Sequence, residues 1–203
     1  MAKGGRVMDN IAPAGTDSPT DASSDRRKRR EKRPPKPLTP DAISELAMAY
    51  VGRFATSRAK LARYLGRKLR ERGWEGELPA DIDALVEKIV GYGYVDDAAF
   101  AESSARSLVR RGFGKRRVAS ALYAAGIGED DSAAARQVAD DARISAALRL
   151  AEKRRWGPFA DERSSDAAVR EKRIAVFLRA GHDARLARAI LALGPGDDTS
   201  GLE

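Results

Sequence analysis

One pattern occurs three times in this 203-residue chain: a basic residue, an apolar residue beside it, a second apolar residue four positions on, and then a glycine. The copies begin at Lys60-Leu61, Arg117-Val118 and Arg173-Ile174, the first about one turn longer than the others. An apolar i, i+4 spacing is the period of a helix with one buried stripe, and a glycine past the last apolar residue is a common stop. Each copy lies between two further runs of helical period. The repeat therefore predicts an all-α fold of three tandem three-helix repeats in an elongated, curved arrangement. A module of roughly 45 to 55 residues has a marginal core on its own, so stacking on neighbours has to supply part of its stability.

The first module is expected over residues 39–95. Thr39-Pro40 reads as an N-cap with proline in the first turn, followed by Ile43, Leu46, Ala47, Tyr50, Val51 and Phe54 on one face. Ser57 opens a second helix with Leu61, Leu65 and Leu69 as its stripe and Gly73 as an αL stop, and a third runs from about Pro79 to Gly91. The second module, 96–140, starts at Asp96-Asp97 with Phe100, Ala101, Ser104, Ala105, Leu108 and Val109 facing inward. It turns at Gly112 to Gly114, continues with Val118 and Leu122 to the stop at Gly126, and closes with a helix from about Asp131 that carries Val138. The third, 141–194, places Ile144, Leu148 and Ala151 on one helix, Ile174 and Leu178 on the next, and Leu186, Ile190 and Leu193 on a last helix opened by Asp183. Residues 195–203 form a C-terminal tail. Residues 1–38 have no hydrophobic period and end in RRKRREKRPPKP, so they are expected to be a disordered, basic, proline-rich tail that cannot bury enough apolar area to offset its ordering entropy.

The chain has no cysteine, which excludes disulfides, thiolate nucleophiles and Cys-based zinc or iron–sulfur sites and fits a reducing compartment. No run approaches about 18 consecutive apolar residues and no apolar segment follows the first basic residues, so neither a membrane span nor a secretory signal is expected, and the location is read as cytoplasmic. The net charge is +8, but residues 1–38 hold ten Lys/Arg against five Asp/Glu, so most of the excess sits in the tail. Within the rest the signs are segregated. Residues 53–73 hold eight Lys/Arg and one acid, residues 74–102 hold eight acids and only Lys88, and residues 106–117 hold Arg106, Arg110, Arg111, Lys115, Arg116 and Arg117 with no acid. A charge run is often only a solvated face; alternating blocks of sign also suit a chain lying along an oppositely patterned protein or nucleic-acid surface.

A catalytic reading finds little to stand on. Asp96 and Asp97 are an adjacent acid pair, but a divalent metal draws three or more oxygen ligands together, and no partner acids recur at a fixed place. The plainer reading is that Asp97, or Asp96, caps the helix leading to Phe100 while the other carboxylate favours the positive end of its dipole, with Val95 stapling onto the first turn. RRGFGKRR lacks the phosphate-loop spacing and a preceding strand, and reads as a turn whose glycines accept positive φ. His182, the only histidine, reads as a surface turn residue. No catalytic residue, cofactor or metal site is expected. The tail run Arg26 to Lys36 reads as a solubilising disordered extension, or alternatively as non-specific phosphate contacts or a targeting signal.

The segment GYGYVDDAAFAESSARSLVRRGFGKRRVASALYAAGI resembles the central signature of the bacterial RecX recombination regulators. The matching positions are Gly93, Val95, Asp96, Asp97, Phe100, Ala101, Arg106, Gly112, Gly114, Arg117, Val118, Leu122, Gly126 and Ile127. SRAKLARYLGRKLRERGW and KRIAVFLRAGHDARLARAIL resemble the helix pairs of the family's first and third modules, so the likeness spans about residues 39–194. Residues 1–38 and the loop around 156–165 depart from it. The resemblance implies three tandem three-helix repeats and a non-enzymatic protein, a monomer, that binds RecA and its filament on single-stranded DNA. Such a protein suppresses filament growth and with it the ATPase, strand-exchange and co-protease activities that serve recombination, repair and the SOS response. Arg106, Arg110, Arg111, Lys115, Arg116 and Arg117 are then the expected filament contacts, with weak direct DNA contact possible. The alternative is a nucleic-acid-binding helical module using the tail and the basic helices.

Overall fold

The computed structural model describes residues 36–163 and 166–202, and the expected disorder of the tail falls, up to residue 35, outside them. Among the described residues the chain forms nine α-helices and no strand: α1 (Pro40–Val51), α2 (Arg58–Arg72), α3 (Ile82–Gly91), α4 (Asp97–Arg110), α5 (Lys115–Ala125), α6 (Glu129–Asp141), α7 (Arg143–Arg154), α8 (Ala167–Arg179) and α9 (Ala184–Ala192). A 3₁₀ turn at Gly157–Phe159 separates α7 from α8. Six of the helices start on a side chain that accepts from a free N–H of the first turn: Thr39, Ser57, Asp81, Asp96, Asp166 and Asp183. At α5 and α6 that position is a glycine with no side-chain cap.

The apolar residues gather into three clusters. Leu38, Ile43, Ala47, Leu61, Leu65, Val86, Ile89 and Val95 form the first; Ala101, Ala105, Val109, Val118, Leu122, Ile127, Ala135 and Ala139 are the centre of the second; Ala147, Ala151, Ile174, Phe177, Leu186, Ala187 and Ile190 form the third. The second is built largely from alanine, which lets α4 and α6 approach closely and leaves little area per residue to bury. α7 serves two clusters from one helix, Ala146 facing the second and Ala147 the third.

Several expectations need correcting. α1 stops at Val51, so Phe54 lies beyond it and is 57 % exposed. Gly73 has positive φ but extended ψ, so it is not an αL cap. Leu38, assigned to the tail, is fully buried in the first cluster and makes a two-residue bridge with Trp74: its N–H donates to the Gly73 carbonyl at 3.0 Å and its carbonyl accepts from Glu75 at 2.9 Å. Val95 packs in the first cluster rather than stapling α4. In α8 the buried partner of Ile174 is Phe177, one position short of the repeat's Leu178, which is 41 % exposed. Phe177 instead meets Trp156, whose ring lies 6.0 Å away, so the loop that broke the sequence pattern closes the third cluster.

Two seams join the helices of different clusters. At the first, Ser57 Oγ donates to the Ala125 carbonyl at 2.6 Å, Arg63 donates to Ala124 at 2.8 Å, and Gly126 comes so close to Ala59 that a Cβ there would stand 2.3 Å from the Ala59 Cβ. Gly126 is also in the αL conformation that ends α5, so both the turn and the contact require glycine. At the second seam the backbones themselves meet. Gly114 N–H donates to the Ala180 carbonyl at 2.9 Å and Arg116 N–H to the Gly181 carbonyl at 3.2 Å. Gly114 has an ordinary φ of −85°; what excludes a side chain is that a Cβ would lie 2.5 Å from the Gly181 oxygen.

Candidate functional site

The six basic residues singled out in the sequence occupy one corner, where α4 ends, the chain turns through Gly112 at φ +87°, and α5 begins. All six are exposed. Their electrostatic settings differ. Arg110 and Arg111 sit at the C-terminal end of α4, where the helix dipole favours cations. Lys115, Arg116 and Arg117 make up the first turn of α5, at the positive end of its dipole, and that turn carries no acidic residue of its own. Each cation there costs about 0.3–1 kcal/mol at an exposed position, so this turn is placed against the preference of its own helix.

Among the described residues, counter-ions reach two of the six. Arg106 pairs with Glu102 one turn earlier on α4, and Lys115 Nζ lies 3.0 Å from Asp140 Oδ1 on α6. Arg111 and Arg117 flank the Phe113 ring at 5.1 and 6.0 Å from its centre. Among the described residues Arg110, Arg111, Arg116 and Arg117 have no carboxylate partner, so they are the part of the set open to an anionic surface. Lys153 adds a cation to the corner, its Nζ donating to the Arg111 carbonyl at 3.0 Å. Tyr123, missed in the sequence, is 86 % exposed and lies two turns along α5 from Arg116. Its sequence signal is the i+7 spacing from Arg116, opposite the buried Val118 and Leu122. Arginine and tyrosine are the residue types that anchor protein interfaces, and here they share one face of α5.

The acid pair divides its labour. Asp96 caps α4, its Oδ1 accepting from Ala99 N–H at 2.9 Å. Asp97 is 8 % exposed, and its Oδ1 accepts from the N–H of Arg58 at 2.9 Å, the first residue of α2. A carboxylate opening one helix therefore also caps a second helix 39 positions earlier. Burial pushes the Asp97 carboxyl above its ordinary range, opposed by the Arg58 N–H. His182 is not a surface residue either: it is 2 % exposed, its Nε2 lies 3.0 Å from the Gly112 carbonyl, and its ring meets Phe177 edge-on at 5.7 Å. As the carbonyl only accepts, Nε2 carries the proton, and the buried Nδ1 has no partner among the described residues. Burial holds the imidazole below its ordinary pKa and so favours its neutral form. At the positions that carry the resemblance, Gly112 receives His182, Gly114 meets Gly181, Gly126 meets Ala59, and Ala101, Val118, Leu122 and Ile127 fill the second cluster. Phe100 packs on that cluster's edge under Lys60, and Gly93 turns the chain from α3 to α4 at φ +77°. No group of three or more His, Cys, Asp or Glu able to hold a metal occurs among the described residues.

Residues 96–135 match the family model described as RecX, second three-helix domain. A regulatory protein RecX of Mycobacterium sp. strain KMS is 31% identical over 164 residues, covering 78% of this chain and 87% of that protein. That of Agrobacterium fabrum strain C58 is 33% identical over 131 residues, covering 63% of this chain and 69% of that protein. The chain belongs to the RecX family. The regulatory protein RecX of Myxococcus xanthus strain DK1622 agrees over a longer span, 29% identical over 180 residues with 84% and 95% of the two chains covered. Among solved structures, the crystal structure of RecX from Lactobacillus salivarius superposes with a TM-score of 0.53 at 16% identity, over 75% of this chain and 94% of that one. The all-α architecture is therefore that of solved RecX structures, and the chain is a RecX-type regulator. No helix among the described residues is long and apolar enough to cross a membrane.

Proposed function

We propose that this RecX-family chain binds RecA and the filament that RecA forms on single-stranded DNA, and suppresses filament growth together with its ATPase, strand-exchange and co-protease activities. It acts by occupying the filament as a cytoplasmic monomer, with no covalent chemistry and no cofactor. The observation that carries this reading is the corner between α4 and α5. Four exposed arginines, Arg110, Arg111, Arg116 and Arg117, are held there without carboxylate partners among the described residues, two of them on a helix start that disfavours positive charge. Cations kept at a cost to the fold are expected to gain it back against an external anion, on the acidic side chains of a filament or the phosphates of its DNA. Arg106 and Lys115 contribute once their internal pairs exchange, and Tyr123 extends the contact along α5. The three-module division belongs to the same proposal, with the first module begun at the buried Leu38 (38–95, 96–140 and 141–194) and each module presenting one basic helix to successive parts of the partner.

The test follows RecA ATP hydrolysis on single-stranded DNA. Inhibition is expected at or below equimolar protein, and Arg110→Glu/Arg111→Glu is expected to weaken it with the far-UV circular dichroism unchanged. Full RecA activity at equimolar protein refutes the proposal. Direct nucleic-acid binding makes a different prediction: binding to bare DNA that falls steeply with salt and is lost when residues 1–35 are removed. RecA regulation survives that truncation, which has to stop before Leu38 because Leu38 is core.

A further inference from the structure

A cleft of about 550 Å³ opens at the first seam, between α2 on one side and α4 and α5 on the other. That volume lies within the roughly 300–1,000 Å³ of ordinary ligand sites. Lys60 and Arg63 enter from α2 and Arg111 from the end of α4, while Ser103, Ser104 and Ser107 line the α4 wall; the remaining lining is mostly alanine and leucine. No acid lines it, and none of the three cations has a carboxylate partner among the described residues. The cleft is preformed, since the Ser57–Ala125, Arg58–Asp97 and Arg63–Ala124 hydrogen bonds fix the helices on either side.

We infer that this cleft binds a short, extended acidic peptide segment, with carboxylates on Lys60, Arg111 and the serine hydroxyls and aliphatic side chains against the apolar wall. A single-stranded nucleic acid would offer the same charge, but such sites combine cations with aromatic faces on which bases stack. The cleft has one aromatic ring, Phe100, and the Lys60 ammonium already covers it at 4.8 Å from its centre. Cations interleaved with aliphatic surface and hydroxyl donors, without a free stacking face, match alternating acidic and aliphatic side chains.

The site shares Arg111 with the proposed filament contact, so its test uses residues outside that set. The probe is a fluorescein-labelled peptide of alternating glutamate and leucine, titrated with the full chain by fluorescence anisotropy and competed with an oligothymidylate of equal charge. Lys60→Glu is expected to weaken peptide binding about tenfold, since it removes one ion pair and adds a repulsion. Ser103→Trp, at an exposed position of α4, is expected to abolish binding by filling the cleft while the thermal unfolding midpoint stays unchanged. Two results would overturn the inference: peptide binding that neither variant alters, or an oligothymidylate that binds more tightly than the peptide and loses binding in the same variants. Either leaves RecA inhibition by the wild-type chain to be judged on its own assay.

Discussion

Replacing Asp97 by alanine should unsettle two helices at once. The substitution removes the acceptor for the Arg58 N–H, one of the first-turn donors of α2 that has no partner within its own helix. Leaving such a donor unpaired costs about 1–3 kcal/mol when water is kept away. Loss of the carboxylate from the α2 N-terminus adds about 0.3–1 kcal/mol. Part is returned, because burial of the charged carboxyl is itself unfavourable. A net loss of about 2 kcal/mol follows, or roughly 4–8 °C in Tm for a chain of this size. Two further variants separate the contributions. Asp97→Asn keeps an acceptor and drops only the charge, so it should cost well under half as much; Asp96→Ala removes an ordinary local cap, about 1 kcal/mol. Urea unfolding followed by circular dichroism at pH 7.5, with an unchanged m value, measures all three. Asp97→Ala no worse than Asp97→Asn would refute the hydrogen bond to Arg58 as the source of stability, and Asp96→Ala exceeding both would return the pair to a purely local role. The pH dependence adds a signature. Because the folded-state pKa of Asp97 is raised, its contribution to stability falls as pH rises from the ordinary carboxyl value of 3.8 through the raised one, and Asp97→Asn should lack that slope.

His182 behaves in the opposite sense: its pKa is lowered in the fold, so stability should be complete above the ordinary value of 6.5 and decline as pH falls below it, and a thermal melt series from pH 7.5 to 5.5 should show a smaller decline for His182→Gln. Phe177→Ala should cost about 3–5 kcal/mol and Leu178→Ala no more than about 0.5 kcal/mol in denaturant unfolding, an order that reverses if the repeat's i, i+4 register governs α8. Gly114→Ala should destabilise by about 1–3 kcal/mol through collision with the Gly181 carbonyl, although its φ suits alanine; a stable variant would mean that the seam can open without loss.

What could be read from the residues was local. The caps at Thr39, Ser57, Asp96 and Asp183 act over three positions, and the stripes of α2 and α5 repeat within one helix, so their signals lie in adjacent letters. Features that depend on a distant partner were illegible. His182 meets a carbonyl 70 positions away, and nothing in AGHDA distinguishes that from a surface turn. Asp97 finds its donor in another module, and Phe177 displaces Leu178 from the core because Trp156, in a loop outside the pattern, supplies the surface it packs on. The basic corner was legible as a run of charge. Which of its members already have counter-ions, and that Lys60 and Arg63 face a cleft with Arg111, required the fold.

The seam between α5 and the turn after α8 is written in main chain. Two main-chain hydrogen bonds join the N–H groups of Gly114 and Arg116 to the carbonyls of Ala180 and Gly181 and depend on no surface side chain, provided two positions carry none, while His182, which adds a bond to the Gly112 carbonyl, is buried. The angle at which these helices meet is thus insulated from the identity of the charges they display. A chain built this way is free to rewrite the arginines of α5 to suit a different partner without re-engineering the joint that aims them, whereas a single methyl group at the joint would misdirect them all.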